Sequence, residues 1–103
     1  MIEKDFPGKG RVAILRTSPK TVLEDYGRLM HLANYEANLP KDKDTILKIN
    51  ISWQKWYPGC STPPWQLEGV IKTLLEDGYP RESLIAGHNR TVVVDAYEAE
   101  INN

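Results

Sequence analysis

Apolar residues recur along this chain with two different periods. In Thr45-Ile46-Leu47-Lys48-Ile49-Asn50-Ile51-Ser52-Trp53 the period is two, which predicts a strand. Leu47, Ile49, Ile51 and Trp53 share one face, and Ile46, Lys48, Asn50 and Ser52 share the other. The second face therefore turns polar toward its carboxyl end. Arg11-Val12-Ala13-Ile14-Leu15-Arg16-Thr17 is short, apolar and β-branched, is closed by Ser18-Pro19, and predicts an earlier strand covered on both faces. Ser83-Leu84-Ile85-Ala86-Gly87-His88-Asn89-Arg90 predicts a third, which becomes polar where it ends.

The helical period lies between these runs. Val22, Tyr26, Leu29, Met30 and Ala33 fall on one helix face behind Thr21-Val22-Leu23-Glu24, which has capping-box spacing, so a helix is expected over 21–34. A second helix opens with Thr62 as its N-cap and Pro63 in its first turn. Leu67, Val70, Ile71 and Leu74 form its buried stripe, and Gly78 is placed to stop it in the left-handed conformation. Residues 1–10, polar and carrying Pro7, Gly8 and Gly10, read as an entry segment; residues 11–103 read as a single α/β domain. The tail after Arg90 is ambiguous: Thr91-Val92-Val93-Val94 favours strand and Asp95-Ala96-Tyr97-Glu98-Ala99-Glu100 favours helix.

Strands alternating with helices predict βαβ units, a small parallel sheet and right-handed crossovers. The expected fold is α/β, a three-layer or incomplete two-layer βαβαβ arrangement amounting to a Rossmann-like half. Two helices on the same side would leave one sheet face bare. Either the strand order reverses, or a second copy, another subunit or further chain covers that face.

Composition narrows the partners. With 103 residues, the chain has room for one core of modest depth. Lys and Arg number 13 against 14 Asp and Glu, without the cationic excess that nucleic acid or an anionic membrane selects, so neither is an expected partner. Cys60 stands alone, which excludes an internal disulfide and leaves too few thiolates for a structural zinc or iron–sulfur site; no metal ligands are assigned and no cofactor is named. The opening Met1-Ile2-Glu3-Lys4-Asp5-Phe6 has no apolar signal core and no run is long enough to span a bilayer, so the expected compartment is the cytoplasm. The sequons at Asn50 and Asn89 then carry no weight.

In open α/β sheets ligands gather beyond the carboxyl ends of the strands, where helix N-termini also point. That rule collects Thr17 and Ser18, Lys48, Asn50 and Ser52, Ser61 and Thr62, and His88, Asn89 and Arg90. Hydrogen-bonding groups beside two cations suit a carboxylate or phosphate. The competing structural roles are an internal ion pair for Lys48, a loop tie for Asn50 and a helix cap for Thr62. Neither G-x-G-x-x-G nor G-x-x-x-x-G-K-[ST] occurs, which disfavours ordinary nucleotide binding. Cys60 before a helix start is a candidate thiolate nucleophile with no evident base. His88 reads as a general base, a metal ligand or a hydrogen-bonded structural group, and His31 as a surface residue of the first helix. Trp53, Trp56, Tyr57 and Trp65 cluster, and suit a pocket for a planar ligand, an interface, or packing under a loop.

Ile46-Leu47-Lys48-Ile49-Asn50, then Ser61-Thr62-Pro63, then Gly78 before an apolar run, resembles the domain of unknown function 362 family over most of residues 11–95. The family pattern is a strand ending Lys-Pro-Asn, a Thr-rich turn into a helix, and a Gly ahead of the next strand. Lys48, Asn50, Thr62 and Gly78 fit it, while Ile49 replaces the Pro. Members are several times longer, some carry ferredoxin-like iron–sulfur modules, and the fold is distantly similar to nickel-dependent lactate racemase. The resemblance implies that this chain is the amino-terminal part of a larger domain; it names no reaction.

Three expectations follow. The first is an α/β domain binding a small anionic molecule through Lys48, Asn50, Ser52, Ser61, Thr62, His88, Asn89 and Arg90. The second is a non-enzymatic interaction or oligomerisation module that buries the bare sheet face and the Trp-rich loop. The third is an enzyme using Cys60.

Overall fold

The computed structural model describes residues 5–57, 59–88 and 95–103. Its elements run α1 (Val22–Leu32), a 3-10 turn (Tyr35–Ala37), β1 (Thr45–Lys48), α2 (Pro64–Glu76), a second 3-10 turn (Arg81–Ser83), β2 (Leu84–Gly87) and α3 (Ala96–Asn102). β1 and β2 pair in parallel, with Thr45 opposite Leu84 and Lys48 opposite Gly87, and α2 connects them. The class is mixed α/β. The sheet has two strands among the described residues.

The strand expected at 11–17 does not form. Burial still alternates there, with Ala13 and Leu15 partly covered and Val12 and Ile14 exposed. The run therefore has the two-sided character of a strand but, among the described residues, no ladder to join. Its far end is tied to α1: the hydroxyls of Thr17 and Thr21 donate to Asp25 Oδ2 at 2.8 and 2.7 Å, and Arg28 Nη1 donates to Asp25 Oδ1 at 2.8 Å. Thr21 precedes α1 as expected, but its hydroxyl serves Asp25 and makes no cap, so the capping box is not formed.

α1 and α2 pack through small residues. A Cβ on Gly69 would lie 3.0 Å from Tyr26 Cβ, and one on Gly27 3.0 Å from Thr73 Oγ1, so glycine sets the closeness of the pair. Thr73 turns its hydroxyl to the Gly69 carbonyl at 2.8 Å. Leu74 is the most buried large side chain, and Tyr79 and Ala99 are buried as well.

Gly78 ends α2 as predicted, at φ 89°. Tyr79 N–H donates to Leu74 O at 3.0 Å and Gly78 N–H to Leu75 O at 3.1 Å, the paired bonds of a Schellman stop. The start of α2 lies one residue later than expected: Pro63 is the N-cap and Pro64 the first helical residue. Thr62 is free to do something else.

Asp95 caps α3 by accepting from Glu98 N–H at 3.0 Å, which resolves the ambiguous tail from Asp95 onward as helix. Asn102 Nδ2 donates to Gln54 O at 2.7 Å and Asn103 Nδ2 to Trp53 O at 2.9 Å, fastening α3 to the Trp-rich loop. The β-branched run 91–94 lies outside the described residues. No described helix is long and apolar enough to cross a membrane.

Candidate binding site at the strand ends

The carboxyl end of β1 leads directly into a loop that folds back on the start of α2. The ladder continues one bond past β1, from Ile49 N–H to Gly87 O at 3.0 Å. Residues 50–52 then leave the sheet and pair with 61–62. Asn50 N–H donates to Thr62 Oγ1 at 2.9 Å, Thr62 N–H to Asn50 O at 2.7 Å, and Ser52 N–H to Ser61 Oγ at 3.3 Å. The period of two over 45–53 thus belongs to a strand only as far as Lys48; beyond it the extended backbone finds a loop partner.

Lys48 joins the same group. Its ammonium donates to Ile49 O at 2.7 Å and to Asn50 Oδ1 at 2.9 Å, and among the described residues it makes no pair with a carboxylate. Asn50 is therefore a loop tie, one of the structural roles weighed from sequence. Thr62 is not a helix cap, because Pro63 occupies that position and the Thr62 hydroxyl serves Asn50.

Ser61 Oγ, Thr62 Oγ1 and Asn50 Oδ1 all act as acceptors within the loop. The two hydroxyl protons, the Asn50 amide group and the third ammonium proton of Lys48 have no acceptor among the described residues. The surplus consists of donors beside a positive charge. The helix start adds little: Pro63 and Pro64 have no N–H, and Gln66 N–H is taken by Pro63 O at 3.0 Å.

A cleft of about 540 Å³ opens beside Ser61 and Thr62, walled by Ile49, Ile51, Trp56, Tyr57, Trp65 and Asn103. Trp56 and Tyr57 remain largely exposed along it. Trp65, at the start of α2, leans on Tyr26 with ring centroids 6.3 Å apart. The aromatic cluster noted in the sequence is thus neither core nor fully buried.

His88 follows β2, next to Gly87. Its Nε2 meets Glu100 Oε1 at 2.7 Å; because an ionised carboxylate only accepts, Nε2 carries the proton. Nδ1 is buried with no partner among the described residues. Glu100 and Asn103, both on or at the end of α3, escaped the sequence reading of the site; the Asp95-x-x-Glu98 capping spacing was the available signal for that helix. Asn89 and Arg90 lie outside the described residues. Thr17 and Ser18 belong to the Asp25 group instead.

Cys60 is exposed and lies four residues ahead of Pro64, beyond the first turn where the helix field acts. A separate cluster went unnoticed in the sequence. His31 Nε2 meets Asp77 Oδ2 at 2.6 Å, Tyr35 OH donates to the same oxygen, and Lys41 pairs with Glu36 at 2.9 Å. The Tyr35 hydrogen bond and then His31 hold the Asp77 carboxyl below the usual range against its partial burial, while burial and Asp77 push the Tyr35 phenol up. His31 is on the surface of α1, as read from sequence, but with a partner 46 residues away.

Comparison with family models, curated proteins and solved structures finds no match to this chain.

Proposed function

We propose that the domain binds a small ligand with a planar apolar body and a carboxylate or phosphate end. The body occupies the cleft between Ile51, Trp56, Tyr57 and Trp65, and the anionic end meets Ser61, Thr62, Asn50 and Lys48. One observation carries this reading: the loop consumes its own acceptors and leaves donors unspent, of which the Ser61 and Thr62 hydroxyls line an aromatic cleft and Lys48 is tied to Thr62 through Asn50. Kinship with the domain of unknown function 362 family is part of the same proposal, resting on Lys48, Asn50, Thr62 and Gly78.

The test uses tryptophan fluorescence of the full chain against an indole carboxylate and its uncharged amide. The carboxylate is expected to bind more tightly, Lys48→Ala to cut that preference by about fivefold, the scale of one solvent-exposed charge contact, and Trp65→Ala to weaken both probes. Equal affinity for the two probes, unchanged in Lys48→Ala, overturns the anionic part; failure of either probe to quench overturns the cleft.

A second reading has its own support. Ile46 and Ile85 face each other across the ladder and are 72% and 45% exposed, so one sheet face is bare. An interaction module burying that face against a second copy is the alternative.

A further inference from the structure

At the end of α2 opposite the proposed ligand cleft, about 20 Å along a 13-residue helix, three side chains from three different elements converge. They are His31 of α1, Glu36 of the following 3-10 turn and Asp77 at the C-cap of α2. One imidazole nitrogen and one oxygen from each carboxylate lie within 4.8 Å of one another. Their convergence is built by backbone features. Asn34, at φ 53°, turns the chain between His31 and Glu36, and the Schellman stop at Gly78 fixes the helix end that carries Asp77. Tyr35 and Tyr79, stacked with centroids 5.8 Å apart, link the 3-10 turn to the end of α2.

The carboxylates of the cluster have polar partners at its surface. His31 Nε2 is hydrogen-bonded to Asp77 Oδ2, and the Lys41 ammonium sits on Glu36, 5.3 Å from the centre of the Tyr79 ring. Lys41 and His31 are both about half exposed, so both contacts are open to solvent and to an incoming ion. A single divalent ion would replace both.

We propose that His31, Glu36 and Asp77 form a binding site for a divalent transition-metal ion of the zinc class, with solvent in the remaining position. One nitrogen and two carboxylate donors match that class, whereas magnesium and calcium favour sites made of oxygen alone. The absence of a thiolate set, from which the sequence excludes a structural zinc site, does not bear on an imidazole–carboxylate site. Protons compete for an imidazole and two carboxylates, so affinity falls on acidification.

Titration of the tag-free full chain with Co²⁺ and with Zn²⁺ against a chromogenic indicator tests this. Wild type is expected to bind one equivalent of either ion and to give a visible Co²⁺ d–d band, with Mg²⁺ failing to compete. His31→Gln, which keeps a donor for Asp77, is expected to weaken Zn²⁺ by about tenfold or more, the scale seen when a metal's ligand environment is damaged. Lys41→Met removes the competing cation and is expected to tighten binding by about threefold. Cys60→Ser and His88→Gln, the other soft donors, are expected to bind as wild type. Circular dichroism checks that each variant is folded. No band and no competition in wild type overturns the site, as does a folded His31→Gln chain that binds unchanged, or a loss of binding in Cys60→Ser or His88→Gln.

Discussion

Asp25 shows how one carboxylate organises the amino-terminal third of the chain. Its two oxygens accept from Thr17, Thr21 and Arg28, three groups that have no other reason to meet. Those hydrogen bonds, Thr21's and Thr17's first and then the Arg28 charge, hold the carboxyl below the ordinary 3.8 despite partial desolvation. The consequence for stability has a definite sign. A carboxyl with a lower value in the folded state is more protonated in the unfolded state around pH 4, so its contribution is present above 3.8 and is lost as the pH falls through the folded value. Asp77 acts in the same direction. Thermal midpoints are therefore expected to fall steeply below about pH 4. In Asp25→Asn the midpoint should be lower at neutral pH and its acid limb shallower. A variant whose midpoint tracks wild type across that range would mean that the Thr17–Asp25–Arg28 group does not hold the chain to α1.

At the scale of elements, the α1–α2 pair sets two effects against each other. Ala in place of Gly gains about 1 kcal/mol of helix propensity. At Gly69, however, the added methyl would sit 3.0 Å from both Cβ and Cδ2 of Tyr26 and 3.1 Å from Cγ, the stiff base of that side chain. Overpacking of this kind costs about 1–3 kcal/mol, so the contact is expected to win and Gly69→Ala to lower the unfolding free energy by roughly 1 kcal/mol in a denaturant titration. A stabilised variant would show that the helices can move apart freely.

What could be read in the sequence at this scale follows the same division between local and non-local causes. The period of two identified β1, and Gly78 identified the end of α2, because each signal is complete within a few residues. The run 11–17 carries an equally good strand signal, yet pairing requires a distant partner, and among the described residues it has none. The site divides likewise. Lys48, Asn50, Ser52, Ser61 and Thr62 were legible from the rule that ligands gather at strand ends, and hydrogen bonds bring them together. Their spent acceptors were not legible, since Thr62 caps a helix or ties a loop according to which of two adjacent prolines begins α2. His31 and Asp77 lie on separate helices, and nothing in their spacing announces the contact.

For the molecule as a whole, the uneven distribution of apolar surface is the dominant fact. The accessible surface is 8182 Å², against about 5,900 Å² for a folded monomer of 11.7 kDa. The Cα radius of gyration is 15.8 Å, where about 13 Å is usual for this length. Val12 and Ile14 are 83% and 82% exposed, and Ile46 and Ile85 form a bare pair on the sheet. Exposed apolar positions contribute little to the stability of the isolated chain, whereas their removal from water in a complex contributes in proportion to area. Ile46→Lys separates these two states. In a monomer it is expected to change the unfolding free energy by no more than about 0.5 kcal/mol, because the side chain already sits in water. In a dimer closed over this face, a buried unpaired ammonium is strongly destabilising, so sedimentation should show wild type associating with rising concentration and Ile46→Lys remaining monomeric. If wild type sediments as a monomer at all concentrations, the second copy is eliminated as the cover of this face, and the ligand-binding reading stands without it.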